Sequence, residues 1–341
     1  MDGIDVPKVT AWFEDNIEGA TGPLQFELIA GGRSNLTFKV TDANGTDYVL
    51  RRPPMGHVLA TAHDMGREHR IISALAPTPV PVAPALGYCD DPDVNGASFY
   101  VMGYVDGLIV RDPNSSKALE PDARRKAGES LVDVLVAIHD VNPDDVGLGD
   151  LGRKEGYIAR QLKRWYSQFN QSKLREVPLV DEMHDFLNAH IPEQQGAAIV
   201  HGDYRLDNCM LTPQGEVAAV LDWEICTLGD PLADLGLLMV YWNDPDDTVA
   251  SIAGSGATAA QGFPRREELR TMYAAKSDRD LSHLDFYVAF GYWKLACILD
   301  GVYTRYVKGA MGNDGGGWEA FGESVIRLAE TSKAAASSLR T

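Results

Sequence analysis

His201-Gly202-Asp203-Tyr204-Arg205-Leu206-Asp207-Asn208, followed fourteen residues later by Asp222-Trp223-Glu224, decides how this chain is read. The strand-like run Ala198-Ile199-Val200 leads into the first segment, and Cys209-Met210-Leu211 leaves it. A second strand-like run, 217–221, leads into Asp222. Two loop ends therefore present a carboxylate (Asp203), an amide oxygen (Asn208) and a second carboxylate (Asp222). Phosphoryl transfer to a hydroxyl uses such a set. One carboxylate orients the attacking hydroxyl and takes its proton, while an Asn and an Asp hold a magnesium ion on nucleotide phosphates. Magnesium takes few protein oxygens and completes its shell with phosphate and water, which suits so sparse a site.

Working outward, residues 26–29, 36–40 and 48–50 read as strands, and Asn44-Gly45 is a hairpin signal between the second and third. Gly31-Gly32-Arg33-Ser34-Asn35 lies between the first two strands. Its glycines let backbone amides approach an anion, although such a pair also serves as a plain turn. Pro53-Pro54 ends the third strand, and a helix is expected over 60–75. Prolines 77, 79, 81 and 84 mark an extended connection, and 98–102 is a further strand closing at Gly103 and Gly107. The first hundred residues thus read as strands and turns with one helix. Beyond Gly107 the pattern is helical. Leu131, Leu135 and Ile138 share one face, as do Ile158, Leu162, Trp165 and Phe169. Long helices are expected over 284–306 and 318–336, and a mobile loop over 250–262. The stripe Trp165, Tyr166, Phe169 reads as core. The expected architecture is α+β. Residues 1–104 form a small lobe of antiparallel sheet plus helix, and 105–341 a larger, mainly helical lobe with a site in the cleft.

The chain has 341 residues, enough for about two domains. Acidic residues number 49 against 31 basic ones, a formal net charge of −18. That balance excludes a general nucleic-acid binder and a polybasic membrane-surface protein. No run of 18 apolar residues is present, so no membrane span is expected. Cys89, Cys209, Cys226 and Cys297 form no CxxC pair, and the histidines show no metal-ligand spacing, so the cysteines read as buried free thiols. With no secretory signal visible, the expected location is the cytoplasm.

Together the two segments resemble the H-G-D-x-x-x-x-N and I/L-D-W/F-E signatures of aminoglycoside phosphotransferases and their choline-kinase-like relatives. These parallel the H-R-D-x-x-x-x-N and D-F-G motifs of protein kinases. Leu228-Gly229-Asp230-Pro231-Leu232-Ala233-Asp234-Leu235 is similar to the family's G-D-P-x-x-D-L continuation. The resemblance runs from the Gly-rich turn to the helix at 284–306. It implies a bilobal protein-kinase-like fold, with ATP and Mg2+ as cofactors and GTP left open. It also implies roles: Asp203 as catalytic base, Asn208 and Asp222 as magnesium ligands, and Gly31, Gly32, Ser34 and Asn35 in the loop over the phosphates. Arg51 stands where the wider family has Lys, with Lys39 as the lesser candidate for that cation and Glu68 as its acid partner. Adenine would bind backbone groups of Gly103 and Val105. His201, Asp230 and Asp234 read as braces for the loop, Trp223 as packing, and Glu224 as a structural acid or a lip of the cleft. Gly202 replaces the Arg that precedes the catalytic Asp of protein kinases, and no A-P-E segment follows Asp222, so gating by phosphorylation is not expected.

The phosphate acceptor is expected to be a small-molecule hydroxyl. A cationic aminoglycoside or amino-alcohol would suit the net charge and Asp106, Glu224 and Asp300. An anionic acceptor would suit Arg160, Lys163, Arg164, Lys173 and Arg175, a basic run without acids. That run, together with Tyr48–Pro54 and Lys294-Leu295, is similar to the subfamily associated with acyl-CoA dehydrogenases, which implies a hydroxyacyl or hydroxyacyl-CoA acceptor. The Arg51 departure motivates a third reading, a nucleotide-binding pseudokinase or scaffold. Oligomeric state is left open.

Overall fold

The computed structural model describes residues 3–30, 35–55, 64–247, 255–309 and 319–340. The chain divides into two compact units. The first comprises Met1–Gly107 with Ala218–Ile225, and the second Leu108–Val217 with Cys226–Thr341. The return of 218–225 to the first unit is not visible in a linear division at 104/105. There the Val220 N–H donates to the Pro81 carbonyl at 2.8 Å.

The first unit opens with α1 (Val6–Asn16), a helix the strand-dominated reading of this region omitted. Asp5 caps it by accepting the Lys8 N–H, and Pro7 fits its first turn. Strands β1 (Gln25–Ala30), β2 (Leu36–Thr41) and β3 (Asp47–Arg52) follow as an antiparallel meander. Helix α2 (Met65–Leu75), capped by Asp64, comes next; positions 60–63 of its expected range lie outside the described residues. Strand β4 (Ala85–Cys89) occupies what the prolines suggested was extended connection. The short α3 (Pro92–Asn95) and β5 (Phe99–Gly103) complete the unit, and the sheet order is β1-β2-β3-β5-β4.

Strand alternation sorts the two faces of this sheet. Tyr48, Leu50, Phe99 and Val101 join Val9, Phe13, Phe38 and Val40 in one buried cluster against α1. Trp12 meets Phe99 edge-on, with ring centroids 4.9 Å apart. Arg51 and Tyr100 are partners across β3 and β5 and point to the opposite face, where α2 brings Glu68.

The second unit is built on helices α4 (Pro121–Asp140), α5 (Tyr157–Ser172) and α6 (Pro178–Ala189). Short strands β6 (Ala198–Val200), β7 (Cys209–Leu211), β8 (Val217–Val220) and β9 (Thr227–Gly229) follow, β8 crossing into the segment that joins the first unit. Helices α7 (Leu232–Tyr241), α8 (Arg266–Ala274), α9 (Leu284–Val307) and α10 (Glu319–Ala335) close the chain. Helices α6, α7 and α8 were not anticipated. Helix α9 is buried on most sides, packing on α5, α6, α7 and α10. Gly236 of α7 makes one approach possible, because a Cβ there would lie 2.6 Å from the Tyr287 side chain. Of the expected mobile loop, 250–254 lie outside the described residues. Ala257–Ala259 form a 3-10 turn whose buried Thr258 hydroxyl exchanges hydrogen bonds with the Asn243 backbone. In the expected aromatic core stripe only Phe169 is fully buried; Trp165 and Tyr166 are partly exposed. The four cysteines are buried free thiols, and burial pushes Cys209 up to about 12. Among the described residues no helix is long and apolar enough to cross a membrane.

Phe13→Ala should destabilise the first unit by about 3–5 kcal/mol through the cavity it leaves. Urea denaturation of the variant measures this, and a loss below about 1 kcal/mol would remove α1 from the core.

Candidate active site

In the second unit, β6 delivers the buried run Ala198–Val200 directly into the His201 loop. Gly202 turns the chain with φ of +86°, a conformation that suits glycine. Asp234, in the first turn of α7, accepts the His201 N–H at 2.6 Å and the Gly202 N–H at 2.8 Å. Burial alone would raise the Asp234 pKa, but nearby His139 and these backbone donors outweigh it and hold the group below the ordinary carboxylate range. His139 Nε2 of α4 lies 3.7 Å away, and its Nδ1 meets the Tyr273 hydroxyl at 2.8 Å. His201 is itself fully buried, and its Nδ1 accepts the Asp203 N–H at 3.3 Å. Asp230 accepts the Tyr287 hydroxyl at 2.7 Å. These groups brace the loop, and none of them is exposed.

Asp203 is partly exposed. Asn208 donates its amide N–H groups to the Asp203 carbonyl at 2.8 Å and to Asp203 Oδ2 at 2.9 Å. Both Asn208 hydrogens are thereby used, and its Oδ1 has no hydrogen-bond partner among the described residues. Sequence reasoning missed two neighbours. Arg205 Nε stands 3.8 Å from Asp203 Oδ2, with the guanidinium 4.6 Å above the Tyr241 ring and paired to Asp207. Arg205, Asp207 and Tyr241 line a cavity of about 250 Å³, with Leu206, Trp242 and Thr258 among its other walls. The position of Arg205 within the 201–208 motif was the available signal for it; Tyr241 carried none.

In the first unit, Arg51 is the hub. Its Nε lies 3.2 Å from Glu68 Oε2, and its Nη2 donates to Asp222 Oδ1 at 2.7 Å. Glu224 stands 4.0 Å away. The Tyr100 hydroxyl donates to Glu68 at 3.0 Å, and Asn35 Nδ2 donates to Glu68 at 2.9 Å and reaches Glu224 at 3.4 Å. Burial raises the Glu68 pKa above its ordinary value, with Arg51 opposing. Asp222 adopts φ of +64°, the one positive value among described non-glycine residues. Its second oxygen has no hydrogen-bond partner among them, so it too is an oxygen donor fit for a hard cation.

Other expected residues resolve as follows. Lys39 pairs with Asp47 at 2.8 Å and is not the cation of this cluster. The Gly103 N–H is given to the Pro84 carbonyl, while Val105 has no backbone partner among the described residues. Gly31, Gly32 and Ser34 lie outside the described residues. Asp300, expected near a cleft, is fully buried on α9 and lies 4.0 Å from Arg175. The basic run disperses. Arg160 binds the carbonyls of Arg153 and Glu155, Lys173 pairs with Glu176, and Arg175 binds the Gly322 carbonyl.

Residues 25–269 match the family model described as the phosphotransferase enzyme family. The chain is 36% identical over 293 residues to acyl-CoA dehydrogenase family member 10 of Mus musculus, covering 85% of this chain and 27% of that one. It therefore spans little more than a quarter of that curated relative. Among solved structures it is similar to a candidate aminoglycoside phosphotransferase from Ralstonia eutropha, at 34% identity and a TM-score of 0.82, covering 97% of this chain and 98% of that one. An amicoumacin kinase solved with AMP-PNP, Ca2+ and its ligand shares the fold, with a TM-score of 0.63 at 16% identity over 98% of this chain and 94% of that one.

Arg51→Met should cost about 3 kcal/mol at neutral pH, because it strands the buried Glu68 carboxylate. Without its cation, Glu68 would have a folded pKa further above the unfolded value, so the variant's stability should fall as pH rises from 4 to 8. Denaturant titrations at both pH values check this, and a deficit that shrinks with rising pH would contradict it.

Proposed function

Because the chain belongs to the phosphotransferase enzyme family and is a small-molecule kinase with a protein-kinase-like fold, we propose that it moves the γ-phosphoryl group of ATP to an alcohol. Asp203 acts as the base, and Asn208 and Asp222 hold Mg2+. The observation that carries this reading is the Asp203–Asn208 pair. Asn208 spends both amide hydrogens on Asp203, which fixes Asp203 Oδ2 and keeps the Asn208 Oδ1 for a cation.

Asp203 orients the acceptor hydroxyl and takes its proton as the oxygen attacks. A carboxylate is too weak a base to ionise an alcohol beforehand, so proton transfer accompanies bond formation. Magnesium, when bound, neutralises charge on the nucleotide phosphates. Arg51, held by Glu68, addresses the phosphates in place of the usual lysine, and its planar fork can meet two oxygens at once. Gly31, Gly32, Ser34 and Asn35 are assigned to the phosphates, as the family resemblance implies. The base is received by the Gly103 carbonyl and the Val105 N–H. These are backbone groups, so ATP is the proposed donor and GTP the alternative to be measured.

A narrower reading of the acceptor is favoured by the cavity beside Asp203. Its two charged residues, Arg205 and Asp207, pair with each other, so the lining offers a polycation no excess of carboxylates. Such a lining suits a hydroxyl on a group without excess positive charge better than a polycation. Similarity to acyl-CoA dehydrogenase family members supports a hydroxyacyl or hydroxyacyl-CoA acceptor.

ADP release should be measured across aminoglycosides, choline-like amines, sugars and hydroxyacyl-CoAs. The expected result is turnover with hydroxyacyl compounds and none above background with aminoglycosides. The reverse order would overturn the narrower reading, and silence with every acceptor would restore the scaffold reading. Asp222→Ala should weaken Mg-ATP binding in calorimetry by about tenfold or more. Unchanged magnesium-dependent affinity would remove Asp222 from the metal site.

A further inference from the structure

Helix α9 carries an ammonium group where its packing asks for none. Lys294 is 7% exposed and sits among buried Phe290, Gly291, Trp293, Ala296 and Cys297 of the same helix. Its Nζ lies 5.7 Å from the Trp165 ring of α5, and no carboxylate stands within ion-pair distance among the described residues. Its one hydrogen bond among the described residues is to the Gly202 carbonyl, at 3.1 Å. A void of about 10 Å³ beside it, lined also by Tyr157, Gly202 and Asp234, is the size of one water. Burial lowers the Lys294 pKa, while the charges of Asp203 and Asp234 oppose that shift and Arg164 adds to it. A methionine of similar length would fill the space without desolvating a charge, so Lys294 costs the fold stability.

What the lysine holds explains its presence. Asp234 fixes the peptide before Gly202 through its N–H, and Lys294 fixes the peptide after it through its carbonyl. Gly202 is the joint with the most backbone freedom in the loop. The peptide after it carries the Asp203 N–H, so its rotation would swing the Asp203 carboxylate.

We propose that Lys294 is a positioning residue for Asp203, its ammonium locking the Gly202–Asp203 peptide and thereby aiming the carboxylate. This rests on the reading of Asp203 as the base. Substitution should therefore cost turnover without costing stability, which a strut would not do.

The test uses the full chain with Lys294→Met, and with Lys294→Leu as a second variant. The expected result is a melting temperature no lower than that of the parent and unchanged Mg-ATP affinity. Amide exchange over 201–204 should be about tenfold faster. ADP release from Mg-ATP, with water as acceptor, should be roughly 10²-fold slower in kcat at constant KM. Parental exchange and kcat in either folded variant would overturn the proposal. Failure of both variants to fold would overturn it too, since Lys294 would then be a strut. Asp203→Asn is run in parallel. Full turnover in that variant would refute the base reading, while the exchange measurement would still report whether Lys294 holds the loop.

Discussion

Two hydrogen bonds to one buried carboxylate organise the second unit's chemistry. Asp234 receives the N–H groups of His201 and Gly202, and those residues bring Asp203 out of β6. A buried carboxylate is tolerated only when donors surround it. Asp234 meets that demand with two backbone donors from the loop and His139 behind them. The same contact therefore satisfies the acid and shapes the loop. Helix α7 can supply the acid because it is fixed between neighbours, with Gly236 allowing α9 to close against it. Lys294 reaches the loop from that helix.

The first unit solves a different electrostatic problem. Glu68, Asp222 and Glu224 gather around Arg51, so three carboxylates face one guanidinium. Such a surplus of negative charge is costly unless a further cation or a set of hydrogen bonds offsets it. Tyr100 and Asn35 offset part of it at Glu68. Asp222 has one oxygen without a hydrogen-bond partner among the described residues and a left-handed backbone, a local strain for a non-glycine residue. Arginine fits this position better than lysine would, because one planar group meets Glu68 through Nε and Asp222 through Nη2.

Much of the site was legible because its chemistry is local in sequence. Asp203 and Asn208 lie five residues apart, and Asp222 follows its own strand. The meander β1–β3 was legible from alternation and from Asn44-Gly45. Helix α1 was within reach, since Asp5, Pro7, Val9 and Phe13 carry capping and i, i+4 signals, but strand-like neighbours dominated the reading. Strand β4 was hidden behind prolines because pairing with β5, not propensity, makes it a strand. Helix α7 is apolar nearly all round and shows no amphipathic period. Arg205 over Tyr241, and Lys294 on Gly202, join residues 36 and 92 positions apart, and no local pattern announces such contacts. The basic run 160–175 hides its pairings for a related reason. Three of its five cations are spent on local carbonyls, on Glu176, or on the Gly322 carbonyl.

A net charge of −18 said little about the acceptor, because the groups beside Asp203 are an Arg and an Asp that cancel. Transfer depends instead on one carboxylate, Asp203. Its most direct test is a single-turnover measurement on Asp203→Asn, with saturating Mg-ATP and the best acceptor of the panel. With Asp203 as the base, nucleotide binding should equal the parent's and the transfer step should be slower by about 10²–10⁴-fold. A transfer rate within tenfold of the parent's would contradict it.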